Sequence, residues 1–90
     1  MSNLKFELGK MLQTPGARAE FSAGEIIACL ALHATGDWGD LEEEDKQAND
    51  YALKHNDGRL FSSYNVGGKK LWIITEADRS STTALLPEEY

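Results

Sequence analysis

Hydrophobic and polar positions change period twice along this chain. Leu4, Phe6 and Leu8 alternate with polar neighbours, and Gly9-Lys10-Met11-Leu12-Gln13 carries the run to Thr14-Pro15-Gly16. An N-terminal strand closed by a Pro-Gly turn is expected there. Ala17 to Glu20 has room for one short helical turn. The pattern then becomes helical. Ser22 is followed three residues later by Glu25, the spacing of a capping box, and Phe21 and Ile26 occupy the two staple positions. Glu25 to His33 is apolar on nearly every side, which predicts a buried helix stopping near Gly36.

The connector Asp37-Trp38-Gly39-Asp40 leads to a second helix, for which Asp40 and Glu43 form a weaker capping pair. Spacing places Leu41, Ala48, Tyr51, Ala52 and His55 on its inward face. Glu42, Glu43, Asp45, Lys46, Asn49 and Asp50 fall on the outward face, and the helix ends at Asn56-Asp57-Gly58. Thereafter the period is two. Arg59 to Val66 reads as a strand, Gly67-Gly68 as a tight hairpin turn, and Lys70 to Glu76 as a strand built on Leu71-Trp72-Ile73-Ile74. Ala77-Asp78-Arg79-Ser80 turns again, and Ser81 to Leu86 is a third strand stopped by Pro87. The predicted fold is α+β, one domain over residues 1–90: an N-terminal strand, two to three helices, then a three-stranded antiparallel meander packed against the helices. Trp72 is expected in the central strand of the core, where Trp72→Ala costs about 3 to 5 kcal/mol.

Ninety residues leave room for one core and one small site. Hydrophobic residues at 41% and charged residues at 27% exclude a disordered chain. The net charge of -6 is more informative, because residues 37–50 hold seven of the 15 acids and one of the nine bases. The rest of the chain is neutral, so the molecule is a neutral domain with one acidic segment. No direct nucleic-acid binding is expected from it, since a phosphate-backbone binder needs clustered Lys and Arg. The single cysteine, Cys29, excludes a disulfide framework and a thiolate zinc site and points to a reducing compartment. Met1-Ser2-Asn3-Leu4-Lys5 lacks a secretory apolar core and no run is long enough for a membrane span, so a cytoplasmic protein is expected.

Glu76, Asp78 and Arg79 sit in the turn between the two best strands with Thr75, Thr82 and Thr83 nearby. Acids beside an arginine suit acid-base chemistry or a phosphate grip. The plainer reading is a turn in which Asp78 caps the backbone and Arg79 pairs with Glu76 or a helix acid. Trp38 is either an exposed binding anchor or a cover folded over the core. His33 and Asp37 stand four apart, but the acidic segment does not match a calcium loop, and a histidine at a helix end serves the last carbonyls. No metal and no cofactor are expected. Cys29 is also four residues from His33, on an apolar helix where a thiol stays protonated and inert. The candidate binding surface is Asp37, Trp38, Asp40, Glu44, Asp45, Asp50, Arg59, Glu76, Asp78 and Arg79. No catalytic residue is assigned.

A group of residues carries a resemblance. His33, Gly36-Asp37-Trp38-Gly39, Asp45 with Asn49, Gly58-Arg59 followed by Ser62 and Tyr64, the stretch Trp72 to Tyr90 and Thr14-Pro15-Gly16-Ala17 together resemble a family of small bacterial plasmid-related proteins carried on mobile elements. The chain is shorter than that pattern between Arg18 and Phe21, which implies a short first helix. The resemblance implies a mobile-element context and no mechanism. Two functions follow as expectations, beside the plainer option of a structural subunit that dimerises through an exposed edge of the sheet. The first is a non-enzymatic accessory protein, monomer or homodimer, that binds a basic host or plasmid protein through its acidic helix face. The second is a small toxin nuclease of the RelE or ParE type, by analogy of element order, against which the acidic charge weighs.

Overall fold

A computed structural model describes residues 4–90; of the opening segment read above for a secretory signal, residues 1–3 lie outside the described residues. The elements run β1 (Lys10–Gln13), α1 (Pro15–Glu20), α2 (Ala23–Ala34), α3 (Glu43–His55), β2 (Leu60–Val66), β3 (Lys69–Thr75) and β4 (Ser81–Leu85), followed by a 3-10 turn at Pro87–Glu89. The four strands form one sheet in the order β1-β4-β3-β2. β2, β3 and β4 are the expected antiparallel meander, and β1 joins it parallel to β4, making the sheet mixed. The expected N-terminal strand is shorter than the alternation implied. Leu4 to Leu8 stay outside the sheet, although Phe6 and Leu8 are half-buried.

Local chemistry sets the helix starts. Thr14 accepts from the Ala17 N–H and Pro15 opens α1, whose shortness agrees with the expected short first helix. At α2 both arms of the capping box are present, Ser22 Oγ accepting from Glu25 N–H and Glu25 Oε1 from Ser22 N–H. Two expectations for α3 fail. Asp40 does not cap it; Glu42 holds the cap position without a side-chain bond, and Asp40 instead pairs with Lys70 at 3.1 Å. The inward face is also rotated. Asn49 and Ala52 are buried, while Ala48, Tyr51 and His55 are exposed, the last two with ring centroids 4.2 Å apart. The reason is a hydrogen-bonding demand that hydrophobic periodicity does not register: Asn49 turns inward to serve the backbone of Phe61.

All three helices lie on one face of the sheet. Ala17, Phe21, Ile26, Cys29 and Leu30 meet Tyr64, Leu71, Ile73 and Ala84 there, and Trp38, Ala52 and Leu60 form a second cluster with Phe6, Leu41 and Leu53. α2 is less buried than its composition implied, because a helix on one side of a sheet has an outer face. Ile27 on that face is 62% exposed. Among the described residues no helix is long and apolar enough to cross a membrane.

Candidate functional site

The turn residues singled out in the sequence are occupied in holding the fold. Asp78 Oδ1 accepts from the Ser80 N–H at 2.9 Å, and the bonds from Ser80 hold its carboxyl below the ordinary range. Arg79, at φ 61, does not pair with a carboxylate. Its Nη1 donates to the carbonyls of Gly58, Glu76 and Ala77, and its Nη2 to Ala52, so one guanidinium ties the β3–β4 turn to the C-terminal turn of α3. A planar fork of fixed donors suits four carbonyls in a way that no single point charge does. The Glu76 carboxylate pairs instead with Arg59, Nε to Oε1 at 3.3 Å.

The acidic connector is similarly engaged. Trp38 is buried as a cover over the core, and its Nε1 donates to Asp50 Oδ1 at 2.9 Å. Asp37 Oδ1 accepts from the Gly39 N–H, while its carbonyl accepts from the Tyr64 hydroxyl at 2.6 Å. Burial is the chief cause pushing the Tyr64 phenol above its ordinary pKa. Gly39 has φ +76 and a Cβ there would collide with the Ser63 carbonyl, which explains the glycine beside Trp38. Asp40 and Ser63 complete the contact, Asp40 N–H donating to Ser63 carbonyl and Ser63 N–H to Trp38 carbonyl. Glu44 and Asp45 are exposed in the first turn of α3. The ten candidate residues therefore do not converge on one patch; most of them pair within the fold.

His33 does not serve the end of its helix as expected. Fully buried, it bonds Ser62 through Nδ1 and Thr75 through Nε2 at 2.9 Å, with Phe6 and Trp38 against its ring. Directions along this chain follow from its far end. Thr82 donates its one hydroxyl hydrogen to the Leu8 carbonyl, so Thr75 donates to Thr82 and must itself accept from His33 Nε2–H. Nδ1 is then the lone-pair nitrogen, and the Ser62 hydroxyl donates to it. Burial lowers the histidine pKa from 6.5 to about 3, so the neutral ring required by this chain is the stable one. A serine donating to a histidine is the arrangement of an activated nucleophile. Here both groups have no exposed surface, so the pair anchors α2 to β2, β3 and β4 without meeting a substrate. Cys29 is also buried, and that burial raises its thiol pKa.

The other face of the sheet carries no helix. Strand register puts Phe61, Ile74 and Thr83 in one row across it and Ser63, Trp72 and Leu85 in the next. Trp72 is thus in the central part of the sheet, as expected, but on its open side and half-buried rather than in the core. Beyond β4 the chain brings Tyr90 back over this face. Its ring centroid is 5.9 Å from that of Trp72, which lies 4.8 Å from Phe61, both edge-on. Arg59 Nη1 donates to the Tyr90 hydroxyl at 3.2 Å. Arg59, Phe61, Trp72, Ile74 and Tyr90 enclose a groove of about 310 Å³. This is within the range that takes a ligand ring or an anchoring side chain. Of its lining only Arg59 was a sequence candidate. The signal for the rest was present in the parity of Phe61, Trp72 and Ile74, opposite to the buried Leu60, Leu71 and Ile73.

Among the described residues no group of three or more His, Cys, Asp or Glu is placed to hold a metal ion. Comparison with protein-family models, with curated proteins and with solved structures gave no match for this chain.

Proposed function

We propose that the protein is a non-enzymatic accessory protein that binds another protein, taking an apolar side chain of its partner into the groove on the open face of the sheet. The observation that carries this reading is the groove itself: three aromatic side chains and Ile74 gathered on a face without a helix, with Arg59 oriented at the rim by Glu76 and Tyr90. Aromatic residues in such settings contribute most of the energy of protein contacts. The engagement of Glu76, Asp78 and Arg79 in turn geometry supports the non-enzymatic side of the reading over a toxin nuclease. A mobile-element setting rests on the sequence resemblance.

The acidic run has its own observation in its favour. Of the seven acids in residues 37–50, Asp37, Asp40 and Asp50 have partners in the fold. No described cation pairs with Glu42, Glu43, Glu44 or Asp45, which leaves a patch that attracts a basic partner in a salt-dependent way. Affinity capture from a host cell with wild-type protein, Trp72→Ala, Tyr90→Ala and a Glu42, Glu43, Glu44→Lys triple variant tests both surfaces. Loss of one specific protein with the two groove variants supports the groove, and loss with the triple variant alone moves the contact to α3. Growth arrest on induction of the protein alone would overturn the non-enzymatic reading in favour of the toxin.

A further inference from the structure

The two edges of the sheet are finished differently. The edge formed by β2 is closed over its first half: Asn49 takes both the N–H and the carbonyl of Phe61, and the Trp38 to Asp40 connector takes both of Ser63. The edge formed by β1 is open. Lys10 and Thr14 donate their N–H groups to Ser80 and Ala84 in the β4 segment, so by alternation the backbone groups of Met11 and Gln13 point away from the sheet. No described residue bonds them. Met11 and Leu12 on this strand are 60% and 42% exposed.

We propose that β1 pairs with β1 of a second copy, antiparallel about a two-fold axis at Leu12, joining two sheets into one of eight strands. Only residues whose backbone groups point outward exchange hydrogen bonds, so Met11 pairs with Gln13 of the second copy and Gln13 with its Met11. That register makes four backbone hydrogen bonds and sets the two Leu12 side chains against each other on the open face. It also places each Met11 on the helix side, beside Gln13 of the other copy. A groove of about 290 Å³ lies there, lined by Gln13, Arg18, Phe21, Ala23 and Ile26. The flexible thioether side chain, exposed on one copy, can reach Phe21 and Ile26 in this mixed polar and apolar groove of the other.

Charge favours this edge over the β2 edge and α3 for the approach of a second copy. The acidic connector and α3 lie by the β2 edge, at the far side of the sheet. Joining through β1 puts the two acidic segments at opposite ends of the eight strands, separated by seven strand spacings or about 34 Å. That is several screening lengths at physiological salt, where contact through β2 or α3 would bring the two acidic segments together. Lys10 falls opposite Thr14 of the second copy, so no like charges face each other across the axis.

Sedimentation equilibrium from about 10 µM to about 1 mM tests the pairing. Wild type is expected to show a reversible monomer–dimer equilibrium in that range. Met11→Pro removes one outward donor without touching the bonds to β4 and should weaken the dimer about tenfold or more. Leu12→Lys and Leu12→Glu each place like charges on the axis and should each be monomeric, while an equimolar mixture of the two recovers the dimer. A misfolded variant would not be rescued by mixing, so the recovery is specific to this contact. A wild type that stays monomeric throughout overturns the proposal, and so does a dimer that both Leu12 variants retain.

Discussion

Stability measured against pH isolates His33. Its ring is fully buried in the native protein, where burial lowers the pKa from 6.5 to about 3. In the unfolded chain the ring takes up a proton near its ordinary value. Between the two values the unfolded state binds a proton that the native state refuses, so the native state loses ground as pH falls. The contribution is fully present above about pH 6.5 and is lost progressively toward pH 3. While the native ring stays neutral the loss grows as RT ln(1 + 10^(6.5 − pH)), which is about 2 kcal/mol at pH 5 and about 3 kcal/mol at pH 4. For a small domain stable by about 5 to 10 kcal/mol, that is a large fraction. The carboxyls of Asp78 and Glu89, held below the ordinary range chiefly by bonds from Ser80 and Thr14, add loss in the same direction but at lower pH. The interval from about pH 8 to about pH 5 therefore belongs to histidine. Urea unfolding followed by tryptophan fluorescence across that interval gives the slope. His33→Gln keeps groups able to bond Ser62 and Thr75 and lacks the titration; it should be less stable at neutral pH and nearly flat across the interval. His55 is present in both proteins and cancels in the difference. Equal slopes in the two proteins, or a native His33 ring that titrates near 6.5 by NMR, would refute the buried neutral chain.

The two tryptophans should respond unequally. Trp38→Ala removes a buried ring and its bond to Asp50 and should cost about 3 to 5 kcal/mol, whereas Trp72→Ala, on the open face, should cost about 1 to 2 kcal/mol, both read by urea unfolding. Gly39→Ala meets the Ser63 carbonyl at a positive φ and should lower the thermal midpoint sharply, while Gly67→Ala, with open space around it, carries only the conformational cost of about 1 kcal/mol. Arg79→Ala leaves four carbonyls without their donor and should cost about 1 to 3 kcal/mol; Arg79→Lys should recover only part of this, because an ammonium cannot span the same carbonyls.

Elements with local signals were legible in the sequence. The Ser22–Glu25 box, the Gly67-Gly68 turn and the stop at Asn56, which takes φ 51, are all determined by residues within a few positions of each other. What escaped depends on partners distant in the chain. Asn49 faces inward because Phe61 needs both its backbone groups satisfied, and Asp40 leaves the helix start because Lys70 is beside it. The parallel pairing of β1 with β4 has no local mark at all. Ser62, Thr75 and Thr82 occupy the same helix-facing parity as Leu60 and Ile73, and small hydroxyls at core positions mark a buried polar chain in which His33 of α2 takes part. Acidic composition could locate charge but not its engagement, so most of the candidate surface turned out to be capping and pairing.

The pairing of β1 with β4 also fixes an order in time. Glu89 accepts from the Thr14 hydroxyl and from the Gly16 N–H, across a separation of 75 and 73 residues, and beside it lies the β1–β4 ladder. At ordinary rates of synthesis roughly 4 to 15 s pass between making Thr14 and making Glu89. During that interval the helices and the β2–β3 hairpin can form from neighbours, but β1 waits for β4 to pair with. Sheet closure is then expected late, since it depends on contacts of long sequence separation that form slowly. Loss of the few residues after β4 would fall on this closing step, well away from the α1 start that Glu89 holds in the sequence.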